Sequence, residues 1–359
     1  MSDQLDLFDQ EPDPALTPLP DTFRSTPRRT GSTEAPRPAA AIRPEASPRP
    51  LPAQPRPLPP PKADRANGAA FGEAIAEAWY GGHASGDIEI PLGLVATLAL
   101  WPTKGHPRAL ADLLSPLAGP DIIRCVNDVA TYWWMRRPDL IGVAHHLFRW
   151  AEEEQDAHRL ALVERVWKVA IRRGALDFTG SPEPIRNAEI DLMSWTITNL
   201  RHHGARKGLG EYHTPPEVAE VMARFTIAEI PDGGRILDPA AGTGGLLRAA
   251  ALQLHEMGRD PSTYAWFAQD VDPLSAGGCA VNFLVWGLGP KAMVACGNSL
   301  SEPDGYERAL RHRVEMERRR DDMASLAAWL GAAAQVEALL QETSTPGSLE
   351  REAELADRN

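Results

Sequence analysis

Residues 235–245, Arg235-Ile236-Leu237-Asp238-Pro239-Ala240-Ala241-Gly242-Thr243-Gly244-Gly245, carry the stretch that decides the fold. A short apolar run ends in a carboxylate, a turn with three glycines follows, and a run rich in leucine and alanine continues to Met257. That order reads as strand, tight turn, helix. Glycines let the backbone take up positive φ and approach a ligand closely, while the amino end of the following helix offers unpaired N–H groups. A lone turn of this kind also occurs in nucleotide-dependent dehydrogenases and in loops that bind nothing, so its surroundings decide what it means.

Working outward, Arg235-Ile236-Leu237 reads as a short buried strand, Gly245 to Met257 as a helix, Tyr264 to Gln269 as a strand, Pro273 to Trp286 as a helix and Ala292 to Ala295 as a strand. The strand ends at Asp238, Asp270 and Gly297 recur at about the 30-residue length of a βαβ unit, which predicts a parallel sheet and an α/β fold. Upstream, Leu110, Leu113 and Leu114, then Ile122, Ile123, Val126 and Val129, then Leu147, Trp150, Leu160, Leu162, Val163 and Val166 recur at three- and four-residue steps, with Pro91 and Pro107 near helix starts. This predicts an all-helical domain over residues 67–203, with Trp133, Trp134, Trp150 and Trp167 as core rather than a ligand box. Residues 1–66 form a separate tail, since residues 1–65 alone hold 16 of the 33 prolines and few clustered apolar side chains, and such a composition predicts disorder with polyproline character. The α/β part spans 204–300. After it, residues 301–359 turn strongly charged, with Leu326, Trp329, Leu330, Ala333, Val336 and Leu340 on one face of a long helix.

Composition narrows the function classes. With 43% hydrophobic residues in 359 the chain can build real cores, yet no apolar run nears the roughly 20 residues of a membrane span. The polar start Met1-Ser2-Asp3-Gln4 does not resemble a signal sequence, so the cytoplasm is the expected compartment. Cys125, Cys279 and Cys296 are too widely spaced for a zinc site or a disulfide framework and are expected as buried apolar residues. The pairs His145-His146 and His202-His203 lack the i, i+4 spacing of metal ligands. A formal charge of −12 opposes non-specific binding to nucleic acid, so DNA contact requires a local patch or a partner. The run Arg308, Arg311, Arg313, Arg318, Arg319 and Arg320 is interrupted by Glu307, Glu315, Glu317, Asp321 and Asp322, which predicts a solvated helix face.

The octet Asp238 to Gly245 resembles the first motif of adenine-specific DNA methyltransferases, especially the modification subunits of type I restriction systems, which reads DPACGTGG or DPAAGTGG. Upstream, Gly210-Glu211-Tyr212-His213-Thr214-Pro215-Pro216-Glu217-Val218 looks like the element of that family that folds over the methionine part of the cofactor. Gln269-Asp270-Val271-Asp272-Pro273 resembles the acidic end of its second strand, Asn282 to Gly287 its N-L-x-x-x-G helix end, and Gly297-Asn298-Ser299-Leu300 its G-[DN]-[ST]-L turn. The resemblance implies a Rossmann-like core that binds S-adenosylmethionine, behind an all-helical domain and ahead of a helical tail. The positions it implies for the cofactor are Tyr212, Thr214, Pro215, Asp238, Ala240, Gly242, Thr243, Gly244, Gly245, Asp270, Asp272 and Asn298. Within this set Asp238 would accept from the cofactor's ammonium, Asp270 from the ribose hydroxyls with Asp272 as substitute, and Asn298 would face the adenine ring.

The family then continues into a fourth strand ending in [ND]-P-P-[FYW], which holds and stacks a flipped adenine. Nothing of that kind lies between Ser301 and Asn359, and Pro215-Pro216 belongs to the upstream element. No catalytic residue is therefore assigned. Three readings stay open: an adenine methyltransferase-like protein that lacks its base pocket, a non-enzymatic DNA- or protein-interaction module that keeps the cofactor fold, and one piece of a split enzyme completed by a chain supplying the missing strand. The strand ending at Asp238 would then expose an edge, to be covered by the tail stripe Leu326, Trp329, Leu330 and Ala333 or by a partner. Gln4-Leu5-Asp6-Leu7-Phe8 resembles the peptide with which bacterial replication and repair proteins dock on the sliding clamp.

Overall fold

A computed structural model describes residues 65–82, 86–201, 214–302 and 304–343. Tyr212, the remainder of 202–213, the histidine pair at 202–203 and the clamp-like peptide lie outside the described residues.

Three short strands form a parallel sheet in the order β1-β2-β3, with β1 at Arg235–Asp238, β2 at Ala265–Asp270 and β3 at Met293–Cys296. Asp238 stands opposite Ala268 and Asp270 opposite Cys296, so both carboxylates lie at the carboxyl end of the sheet. Strands β2 and β3 each begin and end one residue later than expected, because the ladder pairs Gln269 with Ala295 and Asp270 with Cys296.

Alternation of side chains splits the sheet into two faces. Ile236, Trp266, Ala268 and Val294 point into the main core, whereas Phe267, Met293 and Ala295 point the other way. Helices α1 (Arg65–Tyr80), α2 (Glu89–Ala99), α3 (Pro107–Leu114), α4 (Gly119–Trp134), α5 (Pro138–Ala144), α6 (Ala157–Arg172), α7 (Ala175–Thr179) and α8 (Leu192–Leu200) form the helical part. They are followed by α9 (Pro216–Ile227), α10 (Gly245–Glu256), α11 (Pro273–Val285) and α12 (Gly305–Thr343). Helices open at Pro107 and Pro273 as expected, whereas Pro91 falls in the first turn of α2 and Leu147 and Trp150 lie in short 3-10 helices.

Two helices are apolar on every side and therefore sit inside. In α2 every residue from Ile90 to Ala99 is buried, and its hydroxyl at Thr97 donates to the Gly93 carbonyl at 2.8 Å. In α11 the small run Ala276-Gly277-Gly278-Cys279-Ala280 lets neighbours close in: a Cβ on Gly277 would touch Ala144 and Leu147, and one on Gly278 would press on Thr243. Helix α11 is thus wedged between the sheet and the helical part, and one continuous core joins them within the compact unit Pro60–Asn359.

The opposite face is covered by the start of α12, where Tyr306, Ala309 and Leu310 pack on Phe267, Met293 and Ala295. Gly305 lets the helix start close onto the sheet, since a Cβ there would overlap the Gln269 side-chain amide. On the β3 side stands α5, held by Arg137, which donates to the carbonyls of Gly289 at 3.1 Å and Ala292 at 2.6 Å.

Four expectations need correction. Strand β1 is not buried throughout: Arg235 and Leu237 face outward, Leu237 being 59% exposed, because α12 covers β2 and β3 but stops short of β1. The tail stripe does not cover that edge either, since Leu326, Trp329 and Leu330 remain exposed, Trp329 to 66%, the helix having left the sheet by then. Cys296 is exposed and Cys125 half-buried, leaving Cys279 as the one buried thiol. Trp150 and Trp167 are core, while Trp133 and Trp134 are only partly buried.

Among the described residues no helix is long and apolar enough to cross a membrane, and no cluster of three or more His, Cys, Asp or Glu side chains is placed to hold a metal ion.

Candidate functional site

The turn after β1 is built by its own backbone geometry. Gly242 has φ 56° and Gly244 φ 97°, values that favour glycine. Their reasons differ. A Cβ on Gly242 or Gly245 would meet nothing within 4 Å, so these two positions leave room for a ligand. A Cβ on Gly244 would meet Cys279 Sγ at 3.2 Å and the Trp286 ring at 3.4 Å, so that glycine serves the packing of the turn on α11.

Around the turn the strand-end carboxylates are tied into the backbone. Asp238 Oδ1 accepts from the Ala240 N–H at 3.1 Å, and Asp270 accepts from Gly242 N–H at 2.7 Å and Asp272 N–H at 2.9 Å. Gly297 N–H donates to the Asp270 carbonyl at 2.8 Å, which brings the third strand end alongside. Asn298 lies exposed beyond it, its Oδ1 accepting from Leu300 N–H at 3.0 Å. Burial pushes the Asp238 carboxyl above its ordinary range; the Ala240 N–H opposes this and the nearby Asp270 adds to it.

Asp272 has a different occupation. It accepts from Arg201 Nη2 at 2.5 Å and caps α11 through Ser275 N–H at 2.7 Å. Burial raises its carboxyl, but Arg201 and Ser275 outweigh that and leave it below the usual range. The substitute role suggested for Asp272 thus competes with an ion pair, whereas Asp270 keeps lone pairs on both oxygens for further donors.

Behind the turn lies a device that the sequence reading missed. Asp191, at the start of α8, accepts from Thr243 Oγ1 at 3.0 Å, from Asn282 Nδ2 at 2.8 Å and from Ser194 N–H at 2.9 Å. Asn282 Nδ2 also donates to the Thr243 carbonyl at 2.9 Å. Burial pushes the Asp191 carboxyl up, countered by Ser194, Asn282, Arg248 and Thr243. The Asp-x-x-Ser pattern signals a helix cap. Nothing in it signals a contact with Thr243.

A cavity of about 470 Å³ opens beside the turn. Thr214, Pro215 and Gly245 line it together with Asp191, Glu217 and Arg248. Asp238, Ala240, Gly242, Gly244, Asp270, Asp272 and Asn298 do not line this cavity; they stand at the strand ends on or around the turn. Glu189 and Glu220 complete an acidic wall, and the Arg248 guanidinium donates to the carbonyls of Ala188 at 2.8 Å and Glu189 at 3.3 Å.

Residues 191–316 match the family model of the N-6 DNA methylases. Among solved structures, the chain is similar to the methyltransferase subunit of a type I restriction-modification system from Streptococcus thermophilus, at 13% identity and a TM-score of 0.40, over 66% of this chain. The chain spans 59% of that subunit's length.

Proposed function

We propose that the turn Asp238 to Gly245 binds S-adenosylmethionine, as part of an adenine methyltransferase of the type I restriction-modification kind; the match of residues 191–316 to the N-6 DNA methylase model supports this reading. The observation that carries this reading is the charge around a glycine turn with open space at Gly242 and Gly245. Asp238 and Asp270 flank the turn, and the adjoining cavity holds Glu189, Glu217 and Glu220 against the one basic side chain Arg248. Such a surface repels a pyrophosphate and suits a ligand bearing an ammonium and a sulfonium.

S-adenosylmethionine supplies an electrophilic methyl group. The chain's own residues bind and orient: Asp238 accepts from the ammonium, Asp270 accepts from ribose hydroxyls, and Asn298 faces the adenine. Gly242, Gly245 and Ala240 let the backbone approach, Thr243 and Gly244 hold the turn in place, and Thr214 and Pro215 close the cavity, with Tyr212 assigned by the motif. Calorimetry tests this. Saturable binding is expected, and Asp238→Ala should weaken it by about 1.5–3 kcal/mol, the worth of a charge-assisted bond; no binding at millimolar cofactor would overturn the reading.

A second reading is favoured by the edge of the sheet. β1 pairs with β2 on one side only among the described residues. Helix α9 leaves Val218, Val221, Met222 and Phe225 exposed in an i, i+3, i+4, i+7 stripe, Phe225 to 80%. No [ND]-P-P-[FYW] stands between Ser301 and Asn359. The base pocket is then supplied by a further strand, from a partner polypeptide that docks on β1 and extends the sheet. In this reading the activity on DNA belongs to the completed assembly, in a cytoplasmic setting.

A further inference from the structure

Helix α12 has 39 residues, a length of about 58 Å at 1.5 Å per residue, and buries side chains only along its first part. Ala309 and Met316 are buried, whereas every residue from 321 to 337 is exposed. The composition of this outer part does not suit water. From Met323 to Val336 it carries no charged residue, and Met323, Leu326, Trp329, Leu330 and Val336 are each more than half exposed. A helix in a protein draws most of its stability from packing an apolar face, so a projecting apolar helix calls for a covering surface.

The exposed face has a period. Ala309 and Met316 stand seven apart, and Met323 and Leu330 continue that step outward. With the residues between them the line runs Arg319, Met323, Leu326, Leu330, Ala333, Glu337, in alternating steps of four and three. That is the seam spacing of a two-helix coiled coil. Its ends carry opposite charges, Arg319 at one and Glu337 at the other, and all the side chains between are uncharged and apolar. Arg319 donates through Nη2 to Glu315, and its forked guanidinium has further N–H groups for a second carboxylate. Glu337 has no ion-pair partner among the described residues.

We propose that the outer part of α12 pairs antiparallel with the same segment of a second copy of this chain, forming a homodimer. A twofold axis near Ala328 sets Leu326 against Leu330 of the second copy, Met323 against Ala333, and Arg319 against Glu337. Every layer is thus self-complementary. A parallel pair would instead set Arg319 on Arg319 and Glu337 on Glu337, and like charges facing each other repel. The small side chains Ala327 and Ala334 flank the seam on one side and let the helices approach, while Trp329 flanks it on the other, close to the axis. The charge pattern therefore selects both the occupant and its direction. None of these side chains belongs to the turn assigned to S-adenosylmethionine, so the dimer is independent of that reading.

Sedimentation equilibrium of the full chain at micromolar concentration tests the pairing, and a monomer–dimer equilibrium is expected. Leu326→Asp with Leu330→Asp places carboxylates in the central layers and should raise the dimer dissociation constant at least about tenfold. Hydrogen-exchange protection of β2 should stay unchanged, because both leucines are exposed and far along the helix from the sheet. Arg319→Glu alone and Glu337→Arg alone should each weaken the dimer, and the two together should restore it. In a parallel pair the combined swap would still face like with like and restore nothing. A wild-type chain that stays monomeric, a dissociation constant unmoved by Leu326→Asp with Leu330→Asp, or a combined charge swap that fails to restore the dimer would each overturn the proposal.

Discussion

Asp191 concentrates more consequence than any other single side chain near the turn. It accepts three hydrogen bonds, from Ser194, Thr243 and Asn282, and so links the start of α8 to the glycine turn and to α11. Removing the acceptor orphans donors in a buried place, each costing about 1–3 kcal/mol. Asp191→Ala is therefore expected to destabilise the chain by several kcal/mol in urea unfolding and to weaken cofactor binding through misplacement of Thr243. Asp191→Asn keeps one acceptor oxygen and should cost clearly less; equal losses for both variants would show that the carboxylate does not organise the turn.

At the scale of elements, α5 packs on the β3 side of the sheet through buried Leu140, Ile141 and Ala144, and an ion pair at its start ties it to the segment before β3. Arg137 Nε and Nη2 donate to Asp139 at 2.9 and 2.8 Å while the same guanidinium reaches the carbonyls of Gly289 and Ala292. Both side chains are largely buried. Burial raises the Asp139 carboxyl, but Arg137 overrides it and holds it below the usual carboxylate range. A depressed folded-state value means that this stabilisation is complete above the unfolded value, about 3.9, and is lost as pH falls through the lower folded value. Arg137→Ala should cost about 3–5 kcal/mol at neutral pH, because it leaves Asp139 charged and alone. The gap between variant and wild type should narrow below about pH 4 in acid unfolding. A gap independent of pH would place the loss in packing instead.

For the whole molecule, the apolar side chains left exposed include Leu237 of β1 and the stripe of α9. Val221 and Phe225 belong to an exposed apolar stripe on α9, and β1 has a strand partner on one side only among the described residues, so covering polypeptide would bury apolar surface at each. The double variant Val221→Ser with Phe225→Ser is expected to change the stability of the isolated chain by no more than about 0.5 kcal/mol, the usual range for exposed positions. It should also lower self-association in sedimentation. Co-expression with a polypeptide that restores adenine methylation should fail with the double variant; undiminished methylation would remove α9 from the docking surface. A stability loss of several kcal/mol would mean that these side chains already pack within the chain. Each arginine in the basic run of α12 is matched by an acid, as in Arg313 with Glu317 and Arg319 with Glu315, so the helix face is charged but balanced.

Local order determined what could be read without coordinates. The strand, glycine turn and helix at 235–256, the βαβ spacing of Asp238 and Asp270, and the helices opened by Pro107 and Pro273 all follow from periodicity and turn chemistry within a few residues. Only the tertiary structure decided which helix covers which part of the sheet. It left Leu237 and the α12 stripe exposed, exposed Cys296, engaged Asp272 with Arg201, and brought Asp191 to Thr243. The reason is physical: apolar periodicity says that a face must be buried but not against what, and a carboxylate's partners are set by elements that lie far away in the chain and meet only when the core closes.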